Sequence, residues 1–303
     1  MLDVVLNAKK IPDATFSSAL VLPKYRNFID GINHDYIFTP LAETFLICKG
    51  LDRRNIKLLK TAVHNNNKIR ELCNGDIEPI KYKQIESIDT NLSMAIKTFC
   101  NSLYDYCLDL APFYNTYEDT NTYYKKMVQK SKTCRCCGIG HVLTKFHSHR
   151  GALDHYLPKS IYPFSSLNFK NLIPICEYCN AKYKLGKDTL CETKNKGKKS
   201  ETNTRVKAFY PFSRIKFDID ITIKFVGIKS VKSIEPENVD IDLQCEGYEQ
   251  QIATWNRIFG IKENYKAECC TEEMLLHFEE QYMADMNYGQ THEQYIEKLK
   301  KNK

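Results

Sequence analysis

The clearest helical period in the chain runs from about Ile85 to Leu110. Ile85, Ile88, Leu92, Ile96, Phe99, Leu103, Cys107 and Leu110 recur there at three- or four-residue steps, the spacing that lines one helix face. Pro112 follows and, lacking a backbone N–H, is expected to stop the helix. A looser stripe of Ile56, Leu59, Val63, Ile69 and Leu72 predicts a helix over 53–73. A shorter helix is expected over 117–129. Pro12, Pro23, Pro40 and Pro79 divide the first 80 residues into short pieces without a strong period.

The period changes after residue 210. Phe217, Ile219, Ile221, Ile223 and Phe225 alternate with Asp218, Asp220, Thr222 and Lys224, as in a half-buried strand. Val239, Ile241, Leu243 and Cys245 alternate likewise, and the two strands are expected to pair. Ile252, Trp255 and Phe259 then predict a helix over 248–259. Thr271 and Thr291 are placed to N-cap two final helices, with Gln294 completing a capping box at the second. No internal repeat is visible. The pattern is that of an α+β protein.

Composition changes this picture little. At 303 residues the chain has room for roughly two domains, and 43% apolar with 27% charged residues is ordinary for a globular protein. No apolar run approaches the ~18 residues of a membrane span. The first residues carry no basic stretch before an apolar one, which predicts a cytoplasmic protein. In that compartment 13 cysteines read as thiols and metal ligands rather than as a disulfide framework.

Charge is more informative by location than in total. The net is +7, yet residues 121–199 carry 16 Lys/Arg against Asp154, Glu177, Asp188 and Glu192, a local +12. A basic segment in an otherwise slightly acidic chain is the footprint of a phosphate-backbone binder. A solvated lysine-rich loop at 194–199 is the plainer reading of the same charges.

The candidate chemistry lies in that basic segment. Cys134 and Cys137 form one Cys-x-x-Cys pair, and Cys176 and Cys179 form another. Four thiolates at this spacing suit tetrahedral zinc, and such a site contributes on the order of 10 kcal/mol to folding. Cys136 is then a bystander, and His141, His147 and His149 are expected as exposed imidazoles. Between the pairs the chain reads Leu153-Asp154-His155-Tyr156, then Asn171-Leu172-Ile173-Pro174, and Asn180 follows Cys179 directly. Phosphodiester hydrolysis needs a base for water and a cation for the phosphoryl charge. Histidine titrates near neutrality, and an Asp with an Asn offers hard oxygen donors.

This order of residues over 134–187 resembles the HNH endonuclease family. The resemblance implies a ββα-metal module with zinc knuckles built from the four cysteines, flanked by a helical N-terminal region and a C-terminal β-hairpin plus helices. It implies His155 as general base and one catalytic Mg²⁺ or Mn²⁺ on Asp154 and Asn180. Asn171 would tie the loop after His155, and Lys159, Lys182, Lys184 and Lys187 would contact phosphates. Many family members end the motif in His where this chain has Asn180. More loosely, the Tyr123-Tyr124 helix and Ala253–Phe259 are similar to HNH proteins of bacterial antiviral defence, including the nuclease that partners an ATPase in Septu-type systems.

The expected domains are 1–95, mainly helical and either scaffold or partner-docking; 96–200, the nuclease module with its leading helices; and 201–303, a strand pair with helices. Nucleic acid is the expected partner, DNA ahead of RNA, together with an ATPase or other regulatory protein that would restrain cutting. A non-catalytic zinc-ribbon protein binding nucleic acid or a partner is the alternative.

Overall fold

The computed structural model describes all residues except 109, 115–117, 130, 196–200, 229, 231–232, 288–290, 292, 295–296 and 298–303. The chain divides into two compact units. One comprises Met1–Cys136 with Gly140–Phe212, and the other Cys137–Ile139 with Ser213–Lys303. Helices and small antiparallel sheets are mixed, as expected of an α+β protein. The boundary expected at 95/96 falls inside a helix, and that expected at 200/201 falls within a β-hairpin.

In the first unit, helices α1 (Leu2–Leu6), α2 (Pro23–Asp30), α3 (Phe38–Gly50), α4 (Arg53–Asn66), α6 (Tyr82–Glu86) and α7 (Thr90–Ser102) build the main core, and α5 (Ile69–Asn74) lies between α4 and α6 in the chain. Leu41, Phe45 and Cys48 of α3 and Leu92, Ile96 and Phe99 of α7 are buried at helical spacing, and the two helices pack together. Burial of this kind is worth about 1.5–3 kcal/mol for each large apolar side chain. The stripe expected to be continuous from Ile85 to Leu110 is interrupted. Asp89 accepts a hydrogen bond from Leu92 N at 2.8 Å and starts α7 as a new helix. Asp89→Ala is expected to destabilise the unit by about 1 kcal/mol in urea unfolding. Asp52 caps α4 in the same way.

The helix expected over 53–73 is also broken. Asn67 ends α4, and α5 begins at Ile69. Pro112 does not terminate the long helix. α7 passes at Leu103–Cys107 into a π-helical turn, and Pro112 sits second in the short α8 (Ala111–Tyr114), where its missing N–H costs nothing. α9 (Thr120–Val128) is capped by Asp119. Residue 117, the expected start of that helix, lies outside the described residues.

Two hairpins complete the first unit. β1 (Leu153–His155) pairs antiparallel with β2 (Leu172–Pro174), with Asp154 opposite Ile173 and His155 opposite Leu172. β3 (Cys191–Asn195) pairs with β4 (Glu201–Arg205). The lysine run expected as a loop therefore begins in a strand, and 196–200 lie outside the described residues. No alternation marks this hairpin in the sequence, because its residues Glu192–Lys194 and Thr202–Thr204 are nearly all polar.

In the second unit β5 (Asp220–Phe225) and β6 (Val239–Gln244) pair antiparallel as expected. Val239, Ile241 and Leu243 are buried, and α10 (Glu249–Phe259) and α11 (Ile261–Cys269) pack on β6. Gly260, at φ +59, ends α10 in the left-handed conformation that glycine adopts without a steric penalty. α12 (Glu272–Asn287) follows Thr271, whose Oγ1 accepts from Met274 N at 3.3 Å. Thr291 and Gln294 make the reciprocal bonds of a capping box. Among the described residues no disulfide joins any of the 13 cysteines. Among the described residues no helix is long and apolar enough to cross a membrane.

Candidate metal centre and active site

Cys134, Cys137, Cys176 and Cys179 are all buried, with their sulfur atoms within 4.8 Å of one another. A tetrahedral Zn–S shell of about 2.3 Å has S···S edges of roughly 3.8 Å, so the four thiols are grouped to hold a metal such as zinc with at most about 1 Å of closing. The Cys136 and Cys176 amides each donate to Cys134 Sγ at 3.4 Å, which would stabilise a thiolate there. Cys134 N donates to Gly140 O at 2.7 Å, and Thr133 bridges His141, closing the first knuckle. Cys136 is buried but stands outside the cluster. His141, His147 and His149 are exposed, and His147 Nδ1 accepts from Thr144 N at 3.0 Å.

The second knuckle runs straight into a helical segment. Cys179–Lys184 is π-helical, an uncommon geometry that recurs at functional sites. Its i→i+5 bonding brings residues four and five apart onto roughly one face of the segment, as Asn180 and Lys184 are. Asn180 lines a cleft of about 540 Å³ with Ala152, Glu177, His141 and His147.

Asp154 and His155 point to opposite faces of β1, and the burial pattern alternates accordingly. The strand ends at His155. Asp154 Oδ2 forms an ion pair with Lys184 Nζ at 2.7 Å. Burial raises the Asp154 carboxyl above the usual carboxylate range, and Lys184 partly offsets that. Lys184, expected as a surface lysine contacting phosphate, is instead only 1% exposed. The sequence could not separate these outcomes, because its position four residues after Asn180 is the same in both.

His155 is 5% exposed, and its Nε2 lies 2.8 Å from the Ser166 carbonyl oxygen. A carbonyl only accepts, so Nε2 carries the proton and Nδ1 keeps its lone pair. Burial lowers the imidazole pKa to about 4, a shift the Ser166 bond partly counters. The ring is therefore neutral at pH 7. Tyr104 packs on it at 4.1 Å between centroids and donates its hydroxyl to Leu153 O at 2.9 Å. Tyr104 belongs to the π-helical turn that follows α7.

The loop joining β1 to β2 is held at both ends and in the middle. Asn171 is fully buried. Its Oδ1 accepts from Leu157 N at 2.8 Å, and its Nδ2 donates to Leu157 O at 3.0 Å and Ser165 O at 3.3 Å. Ser166 Oγ donates to Cys100 O of α7 at 3.1 Å. Asn66 Nδ2 of α4 donates to Pro163 O at 2.9 Å, and Phe164 enters the main core. Phe164 has φ +68, a conformation rare for a bulky residue, just before the two serines whose carbonyls receive Asn171 and His155. The N-terminal helices thus act as the scaffold of this loop. Asn171→Ala strands the buried N–H and C=O of Leu157, while Ser165 O keeps its bond from Asn168 N, and is expected to lower stability by about 2–4 kcal/mol, read from urea unfolding. Unchanged stability would count against this assignment.

The other lysines differ from one another. Lys159 is half-buried, forms an ion pair with Asp105 at 2.5 Å and lies over the Tyr104 ring. Lys182 and Lys187 are exposed on the helical segment and its exit. Ser166 and Tyr104 were not among the residues singled out in the sequence. Nothing local to either marks it, since their role depends on where α7 and the loop meet. No family model, curated protein or solved structure matches this chain.

Proposed function

We propose that this protein is a divalent-ion-dependent endonuclease of the HNH type that hydrolyses phosphodiester bonds, with DNA as the first expected substrate. The reading is carried by His155, a neutral imidazole whose Nε2–H is committed to Ser166 and whose Nδ1 is left as a base. Asp154, which precedes it on β1 and faces the other way, and Asn180 on the segment leaving the four-cysteine cluster would supply hard oxygen donors suited to Mg²⁺ or Mn²⁺. Such an ion would neutralise the phosphoryl oxygens and the leaving 3′ oxygen.

In this reading His155 Nδ1 takes a proton from the attacking water, and Ser166 holds the ring in the tautomer that can do so. Asn171 positions the loop that carries Ser166. Zinc on the four cysteines is structural and fixes the start of the helix that bears Asn180. Lys182 and Lys187, both exposed, would meet the substrate backbone. Cytoplasmic location, a role in antiviral defence and an ATPase partner belong to the same proposal and rest on the sequence resemblance alone.

A non-catalytic zinc module that binds nucleic acid is the second reading. The Asp154–Lys184 ion pair favours it, since a carboxylate already neutralised can be purely structural. Purified protein incubated with plasmid DNA and with RNA, in Mg²⁺, Mn²⁺ or EDTA, decides between them. Divalent-dependent cutting supports the nuclease. Binding without cutting under every condition leaves the second reading.

A further inference from the structure

Lys184 is the least expected feature of the site. Its ammonium is almost wholly buried, and it meets Asp154 Oδ2 at 2.7 Å across the gap between β1 and the π-helical segment. Both partners are anchored through their main chains. Asp154 sits in a paired strand opposite Ile173. Lys184 ends its segment at Leu185, with Lys187 N bonded back to Lys184 O at 2.9 Å.

We infer that Lys184 is a resident cation of the Asp154 site, which competes with a divalent ion for that carboxylate and keeps the free protein's affinity for the ion low. This rests on the reading of Asp154 and Asn180 as ion ligands. Mg²⁺ binds carboxylate oxygen at about 2.0–2.1 Å. An ammonium held at 2.7 Å occupies one of the two Asp154 oxygens. A divalent ion on the other oxygen would then lie a few ångströms from a fixed positive charge, where Coulomb repulsion is strong because water is excluded. With the ammonium removed, the divalent ion becomes the only charge that compensates the buried carboxylate, and its binding tightens.

The test is Mn²⁺ binding to the zinc-loaded 303-residue protein, followed by the electron paramagnetic resonance of free Mn²⁺. Thiolates prefer zinc to Mn²⁺, so the cysteine cluster does not interfere. Lys184→Met and Lys184→Gln are each expected to bind Mn²⁺ at least about tenfold more tightly than wild type. Asp154→Asn added to either variant should abolish the site. Lys184→Gln removes the charge but keeps a donor for Asp154, which guards against loss of folding in the Met variant.

Equal or weaker Mn²⁺ affinity in a folded variant overturns the assignment of Lys184 and leaves the ion site intact. Absence of any Asp154-dependent Mn²⁺ site overturns the ion-site reading and this inference with it. A measurement on wild type needs no variant. Mg²⁺ that binds at Asp154 should shift the ¹⁵Nζ resonance of Lys184, and an unmoved resonance on binding overturns the competition.

Discussion

His155→Gln is expected to lower divalent-dependent cleavage by about 10²–10⁴-fold, the usual contribution of a positioned general base, with little change in melting temperature. The reason lies in the two ring nitrogens. Nε2 is committed to the Ser166 carbonyl at 2.8 Å, and a glutamine amide can make the same donation. Glutamine offers no basic nitrogen in place of Nδ1, so the structural bond survives and the proton acceptor is lost. His155→Ala is the less clean variant. It opens a cavity under Tyr104 and leaves a buried carbonyl unpaired, which costs about 1–3 kcal/mol. Cleavage by His155→Gln at the wild-type rate would remove His155 from the mechanism, whatever its effect on folding.

If zinc occupies the cysteine cluster as proposed, its loss is expected to unfold the module that carries these residues. A structural zinc is worth on the order of 10 kcal/mol, which is comparable with the whole stability of an ordinary domain at about 5–15 kcal/mol. Cys176→Ser, or a strong chelator, should therefore abolish both the bound metal and cooperative unfolding of this part of the chain. Metal analysis of wild type should find about one zinc per chain. Cys136→Ser is the matching control, since Cys136 is buried beside the cluster without belonging to it. That variant should keep its zinc. A Cys176→Ser protein that is metal-free yet melts like wild type would contradict a structural metal site here.

The two outcomes separate the functions of the two parts. In the proposed reading a metal on the cluster holds the helical segment from Cys179 to Lys184, since Cys179 belongs to both. In the same reading the loop between β1 and β2 aims His155 through Ser166. Asn171 and Ser166 connect the loop to the histidine, and α4 and α7 connect it to the helical core. A mutation in the N-terminal helices that loosens the Ser166 bond to Cys100 would then reach the histidine without touching it.

Several features were legible in the chain itself because they depend on residues close in sequence. The Cys-x-x-Cys pairs, the period-two strands β5 and β6, and the Thr291–Gln294 capping box each follow from local spacing. So does the opposition of Asp154 and His155 on adjacent strand positions. What the sequence could not supply needed a partner from far away or a signal that periodicity does not carry. The break in the Ile85–Leu110 stripe came from one capping side chain that overrode a continuous apolar period. The β3–β4 hairpin was hidden because its strands are polar on both faces, so no alternation marks them.

Lys184 marks the limit most clearly. By sequence it is one lysine among many in a segment of net +12, and its neighbours Lys182 and Lys187 are exposed. Only the packing of the helical segment against β1 turns it inward onto Asp154. The sequence alone determined which residue types were available for metal and for proton transfer, and in what order. The tertiary structure decided which charges face each other, because burial and ion pairing depend on distances between segments that local spacing does not encode.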